Sequence, residues 1–142
     1  MNLTHFRDLD VWQVAMTLTR SVYELTAAFP REERYGLASQ LQRAAVSVPS
    51  NIAEGNARHS RREYARFLSI ASGSVAEVQT QLLLTEELGL NDNDSIKPVL
   101  ELAERVSKML YRLQQSLGNF ANDGSRVPGP GSRFTASRPR RS

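Results

Sequence analysis

The sequence predicts an all-α fold: an antiparallel, up-down-up-down four-helix bundle with a proline-kinked second helix and a disordered, basic C-terminal tail. Three observations carry this expectation. Four segments space their apolar residues alternately three and four apart, which lines one face of a helix. No comparable run alternates with period 2, so no sheet is expected. The connections between the segments are short, which makes successive helices antiparallel neighbours.

The first segment holds Val11, Ala15, Leu18, Val22, Leu25 and Phe29 in phase, and Pro30 stops it. The second runs from roughly Glu33 to Ala57, with Leu37, Leu41, Ala44, Val48 and Ile52 on one face. Pro49 falls inside it, removes one hydrogen bond and crowds the carbonyl of Ala45. The apolar phase survives through Val48 and Ile52, so a kink is expected rather than a break and restart. The third segment carries Tyr64, Leu68, Ala71, Val75, Val78 and Leu82. Ser60-Arg61-Arg62-Glu63 before it reads as a capping box, and Gly89 suits a left-handed residue at its end. The fourth carries Ile96, Val99, Ala103, Val106, Leu110, Leu113 and Leu117. Asp92, Asp94 and Ser95 all suit its N-cap, and Pro98 is tolerable in a first turn.

The chain has 142 residues, enough for one domain and one core. We divide it into a bundle over 1–117 and a flexible tail over 118–142. The absence of cysteine excludes disulfides, thiolate metal sites and a cysteine nucleophile, and suits a cytoplasmic location. The charged N-terminus does not read as a signal peptide, and no stretch reaches the ~20 apolar residues of a membrane span. The net charge of +3 is unevenly distributed: residues 1–117 hold 13 basic against 14 acidic side chains, and residues 118–142 hold five arginines against Asp123. The basic character therefore belongs to the tail. Its Gly, Pro, Ser and Arg content is too polar to offset ordering entropy.

A polar row accompanies the apolar row of the second helix. Gln40, Arg43, Ser47, Asn51 and Glu54 are spaced 3, 4, 4 and 3 apart. Ser74, Glu77 and Gln81 echo it on the third helix, so the two rows are placed to face each other. A buried Arg43–Glu77 pair is then expected, whose disruption costs about 3–5 kcal/mol. Small residues (Ala44, Ala45, Ala53, Gly55, Ala57) flank the row and admit a close helix. This favours a structural seam that fixes packing, register or oligomeric state over a plain solvated face.

Catalytic patterns are weak. The two histidines, His5 and His59, do not follow a glutamate at helical spacing, so neither a di-iron pattern nor another metal site is expected. No glycine-rich phosphate loop is present, and with His5 in the leader and His59 in a turn no Ser/His/Asp set can be placed. No cofactor and no small-molecule substrate are expected; a hydrolase-like enzyme with an unrecognised site is the least supported reading. The one concentrated positive patch of the body is the turn holding Arg58, Arg61, Arg62 and Arg66, whose side chains suit salt-dependent, sequence-blind phosphate contact.

The motifs together resemble a known family. They are Phe6-Arg7-Asp8-Leu9 with Val11-Trp12; Tyr35-Gly36-Leu37; Gln40 with Arg43-Ala44; Ser47-Val48-Pro49 with Asn51-Ile52-Ala53-Glu54-Gly55; and Ser60, Glu63-Tyr64, Phe67-Leu68, Gly73-Ser74 and Glu77. This pattern, covering about residues 5–117, resembles the four-helix-bundle proteins encoded in intervening sequences of bacterial 23S rRNA genes. It is similar also to the accessory proteins of diversity-generating retroelements. The resemblance implies a homopentamer arranged as a barrel, without enzymatic activity. It also implies that Arg43, Asn51, Glu54 and Glu77 are structural positions. Retroelement relatives bind nucleic acid through strongly basic surfaces, a pattern from which this body departs. The leading expectation is thus a non-enzymatic homo-oligomeric adaptor that offers RNA or DNA the arginines of the turn. The alternative is a protein–protein interaction module with no nucleic-acid contact.

Overall fold

The apolar rows become helices with little shift in phase. The computed structural model describes residues 5–118, and among them the chain forms four α-helices and no strand. These are α1 (Asp10–Ala27), α2 (Leu37–Asn56), α3 (Arg61–Glu87) and α4 (Asn93–Leu117), with short 3-10 turns at Phe6–Asp8 and Arg31–Glu33. Each helix packs on two others in a closed ring, α1 on α2, α2 on α3, α3 on α4 and α4 on α1. Leu18, Leu41, Ile52, Leu68, Leu82, Ile96 and Leu110 fill the centre and are fully buried. Each belongs to a predicted row. No helix of the described residues is long and apolar enough to cross a membrane.

Several boundaries differ from the sequence expectation, each for a local reason. α1 ends at Ala27, before Phe29, because Pro30 disfavours helical backbone at the residue preceding it. Phe29 is buried all the same. α2 begins at Leu37 rather than near Glu33, whose carboxylate accepts from the Leu37 N–H at 3.4 Å. The capping box at α3 is half formed. Ser60 Oγ accepts from Glu63 N at 3.1 Å, but the Glu63 carboxylate is taken by Arg66 at 3.4 Å. Gly89 has φ +65°, and Leu90 N and Gly89 N donate to the carbonyls of Thr85 and Glu86, both at 3.1 Å. This is the left-handed cap expected there. Asp92 is the N-cap of α4, accepting from Ser95 N at 2.8 Å. Pro98 therefore stands in the second turn of α4, not the first. Asp94, which loses its partner there, is exposed, so water can bond its carbonyl.

Pro49 is treated differently, because it is buried. α2 runs unbroken through it, so the chain does not break and restart. The Ala45 carbonyl loses its helical partner in a place from which water is excluded, Ala45 being 0% exposed. Thr19 on α1 supplies the missing donor: its Oγ1 lies 3.0 Å from the Ala45 carbonyl and 2.9 Å from that of Ala15. A second bond between these helices runs from Gln42 Nε2 to Thr26 Oγ1 at 2.9 Å. The expected tail from 118 onward lies, beyond Gly118, outside the described residues.

Thr19→Val keeps the shape but strands a buried carbonyl, so it should destabilise the protein by about 1–3 kcal/mol. In a Pro49→Ala background the carbonyl regains its helical donor and the same substitution should cost less. A denaturant double-mutant cycle measures the difference, and additive losses would show that Thr19 does not serve Ala45.

Candidate functional site

The seam between α2 and α3 carries most of the polar residues singled out by sequence. Its upper end is set by a close approach. A Cβ added at Gly55 would lie 2.8 Å from Phe67 Cβ and 3.1 Å from Tyr64 Cδ1. No larger side chain fits between these helices without separating them. Phe67 is consequently buried, and two guanidinium groups cover its ring, Arg58 at 4.8 Å and Arg66 at 4.6 Å from the centroid. The same two arginines form ion pairs with Glu54 at 3.0 Å and Glu63 at 3.4 Å.

The four arginines of the basic turn thus separate into two kinds. Arg58 and Arg66 shield an aromatic ring and are locally neutralised. These pairs are substantially exposed, so each contributes little to stability. Arg61 and Arg62 occupy the first two positions of α3, where the helix dipole already disfavours a cation. Both are exposed, and neither has an ion-pair partner within 4.0 Å among the described residues.

The polar row separates as well. Ser47 Oγ and Ser74 Oγ lie 2.7 Å apart across the seam, and Asn51 Nδ2 donates to Ser47 Oγ at 2.9 Å and to the Ser47 carbonyl at 2.8 Å. Here the two rows meet as expected. The buried Arg43–Glu77 pair does not form. Both side chains are exposed, and no ion pair within 4.0 Å joins them among the described residues. The reason is their position on the outer edges of the two rows, one step further from the core than Ser47 and Ser74. Gln40, Arg43, Glu77 and Gln81 instead line a shallow notch of about 190 Å³ with Ala44 and Ser47. Gln81 Oε1 is buried there without a hydrogen-bond partner among the described residues. Glu54, the last member of the row, belongs to the arginine cluster above it.

Sequence reasoning missed Phe67 as the element that ties up two arginines, although its spacing from Arg66 and Gly55 could have suggested it. It also missed a groove of about 620 Å³ between α3 and α4, lined by Ala76, Thr80, Leu83, Lys97, Leu100 and Glu101 among others. Leu83 was invisible to a search for core rows because it lies outside the row. Among the described residues no group of three or more His, Asp or Glu side chains is placed to hold a metal.

A protein-family model described as 23S rRNA-intervening sequence protein matches residues 7–112. No curated protein matches the chain.

Gly55→Ala gains helix propensity but must push Phe67 away, for a net loss of about 1–2 kcal/mol. Gly73, whose added Cβ would meet nothing within 4 Å, is the control. Gly73→Ala should stabilise the fold by up to about 1 kcal/mol. Thermal unfolding of both variants checks the pair, and equal shifts would argue against the close approach at Gly55.

Proposed function

Because the chain belongs to the 23S rRNA-intervening sequence protein family, we propose that it works as a non-enzymatic, homo-oligomeric adaptor. The family is not a known enzyme family. The observation that carries the reading is the surface of α3. Leu83, Leu84 and Leu88 stand 49%, 44% and 61% exposed within six consecutive positions. Single exposed leucines are ordinary, but three gathered at the C-terminal end of α3 and its cap favour a surface that another protein covers. A second copy of the chain is always present at matching concentration. The pentameric barrel implied by the family resemblance is our working stoichiometry, and the cytoplasm our working location.

The bundle underlying this reading is up-down-up-down. Its support is the opposed order of the bonded pairs: Thr19 with Ala45 and Thr26 with Gln42 between α1 and α2, Ser47 with Ser74 and Asn56 with Tyr64 between α2 and α3. We also read α2 as bent at Pro49, where the ring crowds the Ala45 carbonyl.

A second reading adds nucleic acid. Arg61 and Arg62 project from one end of the bundle without ion-pair partners, and an oligomer would repeat them around its axis. The pairing of Arg58 and Arg66 with Glu54 and Glu63 halves the charge that the turn otherwise offers. If only the oligomer forms, the protein–protein interaction module is the function.

Two measurements decide. Light scattering on the full chain should give a multiple of 15.9 kDa, near fivefold for the pentamer; a monomer mass at every concentration overturns the adaptor reading. Mixed-sequence duplex DNA titrated at several salt concentrations should bind with a log–log slope that drops by roughly 1.8 per subunit contact set in R61A/R62A. No binding at low salt, or an unchanged slope, removes the turn from the function.

A further inference from the structure

The groove between α3 and α4 is open, mainly apolar at its base and charged along one rim. Leu83 and the half-buried Leu100 form its walls, and Ala76 and Thr80 leave its floor low. Lys97 and Glu101 stand one turn apart on the rim. Neither has an ion-pair partner within 4.0 Å among the described residues, whereas Glu104 is paired with Lys108 at 3.4 Å. The outward face of α1 carries the complementary features. Met16, Arg20, Tyr23 and Ala27 are spaced 4, 3 and 4 apart, opposite the buried row of Val11, Ala15, Leu18, Val22 and Leu25. Met16 is 38% and Tyr23 47% exposed. The one hydrogen bond of the Arg20 side chain among the described residues goes to Thr17 Oγ1, at 3.4 Å, and Glu24 follows it one turn later, also exposed.

We propose that the α3/α4 groove of one copy receives the outward face of α1 from a second copy, with Arg20 against Glu101 and Glu24 against Lys97. The match is one of register. The charge order along α1 is positive then negative over four residues, and along α4 it is positive then negative over Lys97 and Glu101. A helix laid antiparallel to α4 therefore brings opposite charges together at both points, about 6 Å apart on each helix. The same placement sets Met16 over Ala76 and Tyr23 beside Leu83, pairs that are each seven residues, about 10.5 Å, apart. The large side chain meets the small one, and the aromatic ring meets the leucine wall. The apolar contacts supply affinity, and the charges fix direction and exclude the reversed docking.

The two surfaces differ and lie on different sides of the bundle, so each copy both offers and receives. Such a contact is heterologous and repeats until it closes a ring or extends as a filament. The proposal rests on the homo-oligomer reading and names its interface.

The test is light scattering and sedimentation velocity on the full chain, as wild type, R20E, E101R and R20E/E101R, with circular dichroism melts on each. Both substituted positions are exposed, so every variant should keep wild-type helicity at low temperature, and only loss of association should lower its melt. Each single reversal should weaken association at least about tenfold, and the double reversal should recover most of it. L83D should dissociate the assembly without altering helicity. If the wild type is monomeric, the oligomer reading fails and this contact with it. If the wild type assembles but is indifferent to R20E, E101R and L83D, or if the double reversal does not recover association, this contact alone is overturned and the interface lies elsewhere.

Discussion

The Ala45 carbonyl cannot be satisfied by its own helix, and much of the bundle's arrangement follows from that. Pro49 removes its donor in the most enclosed part of α2. An orphaned carbonyl there would cost on the order of 1–3 kcal/mol, a large part of a small domain's stability. Thr19 meets the need from α1, and in doing so fixes how far along α1 the second helix must sit. Ten residues further on, Gly55 performs the corresponding task toward α3. It lets the backbones approach until Phe67 fills the gap. α2 is thereby located by two unlike devices, a borrowed hydrogen bond on one side and a missing side chain on the other. Pro98 makes the comparison instructive: the same residue type at an exposed site needs no partner helix.

With α2 so placed, the fate of each polar side chain on the seam is a matter of its distance from the core. Ser47, Asn51 and Ser74 are near enough to be enclosed, and they form a short chain of hydrogen bonds. Arg43 and Glu77 are one step outward and face solvent. The difference is energetically sensible. Small hydroxyl and amide groups lose little when buried with partners, while a guanidinium and a carboxylate lose several kcal/mol of hydration each. The seam leaves its charges exposed and holds its small polar groups buried or half-buried. The exception is Gln81 Oε1, buried in the notch without a donor among the described residues.

The fold was legible because the information for it is one-dimensional. The spacing of Leu18, Leu41, Leu68 and Leu110 with their neighbours states which face is inward, and all are buried. Gly89 and Asp92 announced their caps through backbone conformation and side-chain chemistry that act within a few residues. The site was less legible because it depends on relations between helices. That Ser47 reaches Ser74 and Arg43 does not reach Glu77 is decided by a rotation about each helix axis that residue spacing does not specify. The partnership of Thr19 with Ala45 spans 26 positions, and nothing local to Thr19 marks it. The expectation of a buried Arg43–Glu77 pair failed for this reason: both side chains lie on the exposed side of the seam.

For the same reason a count of basic residues treats the four arginines of the turn between α2 and α3 as alike. Four arginines in nine positions look like a phosphate site when charge is read along the chain. In three dimensions Phe67 and two glutamates claim Arg58 and Arg66. A cation stacked on a ring and paired with a carboxylate must give up those contacts before it can meet a phosphate, a cost that an unpaired arginine does not bear. Exposed charges that remain unpaired within one subunit are a different matter. Arg20, Glu24, Lys97 and Glu101 stand in matching order on two separate surfaces, and within a single copy none of them forms an ion pair within 4.0 Å among the described residues. In the contact proposed between two copies, that order would set opposite charges against each other at both points.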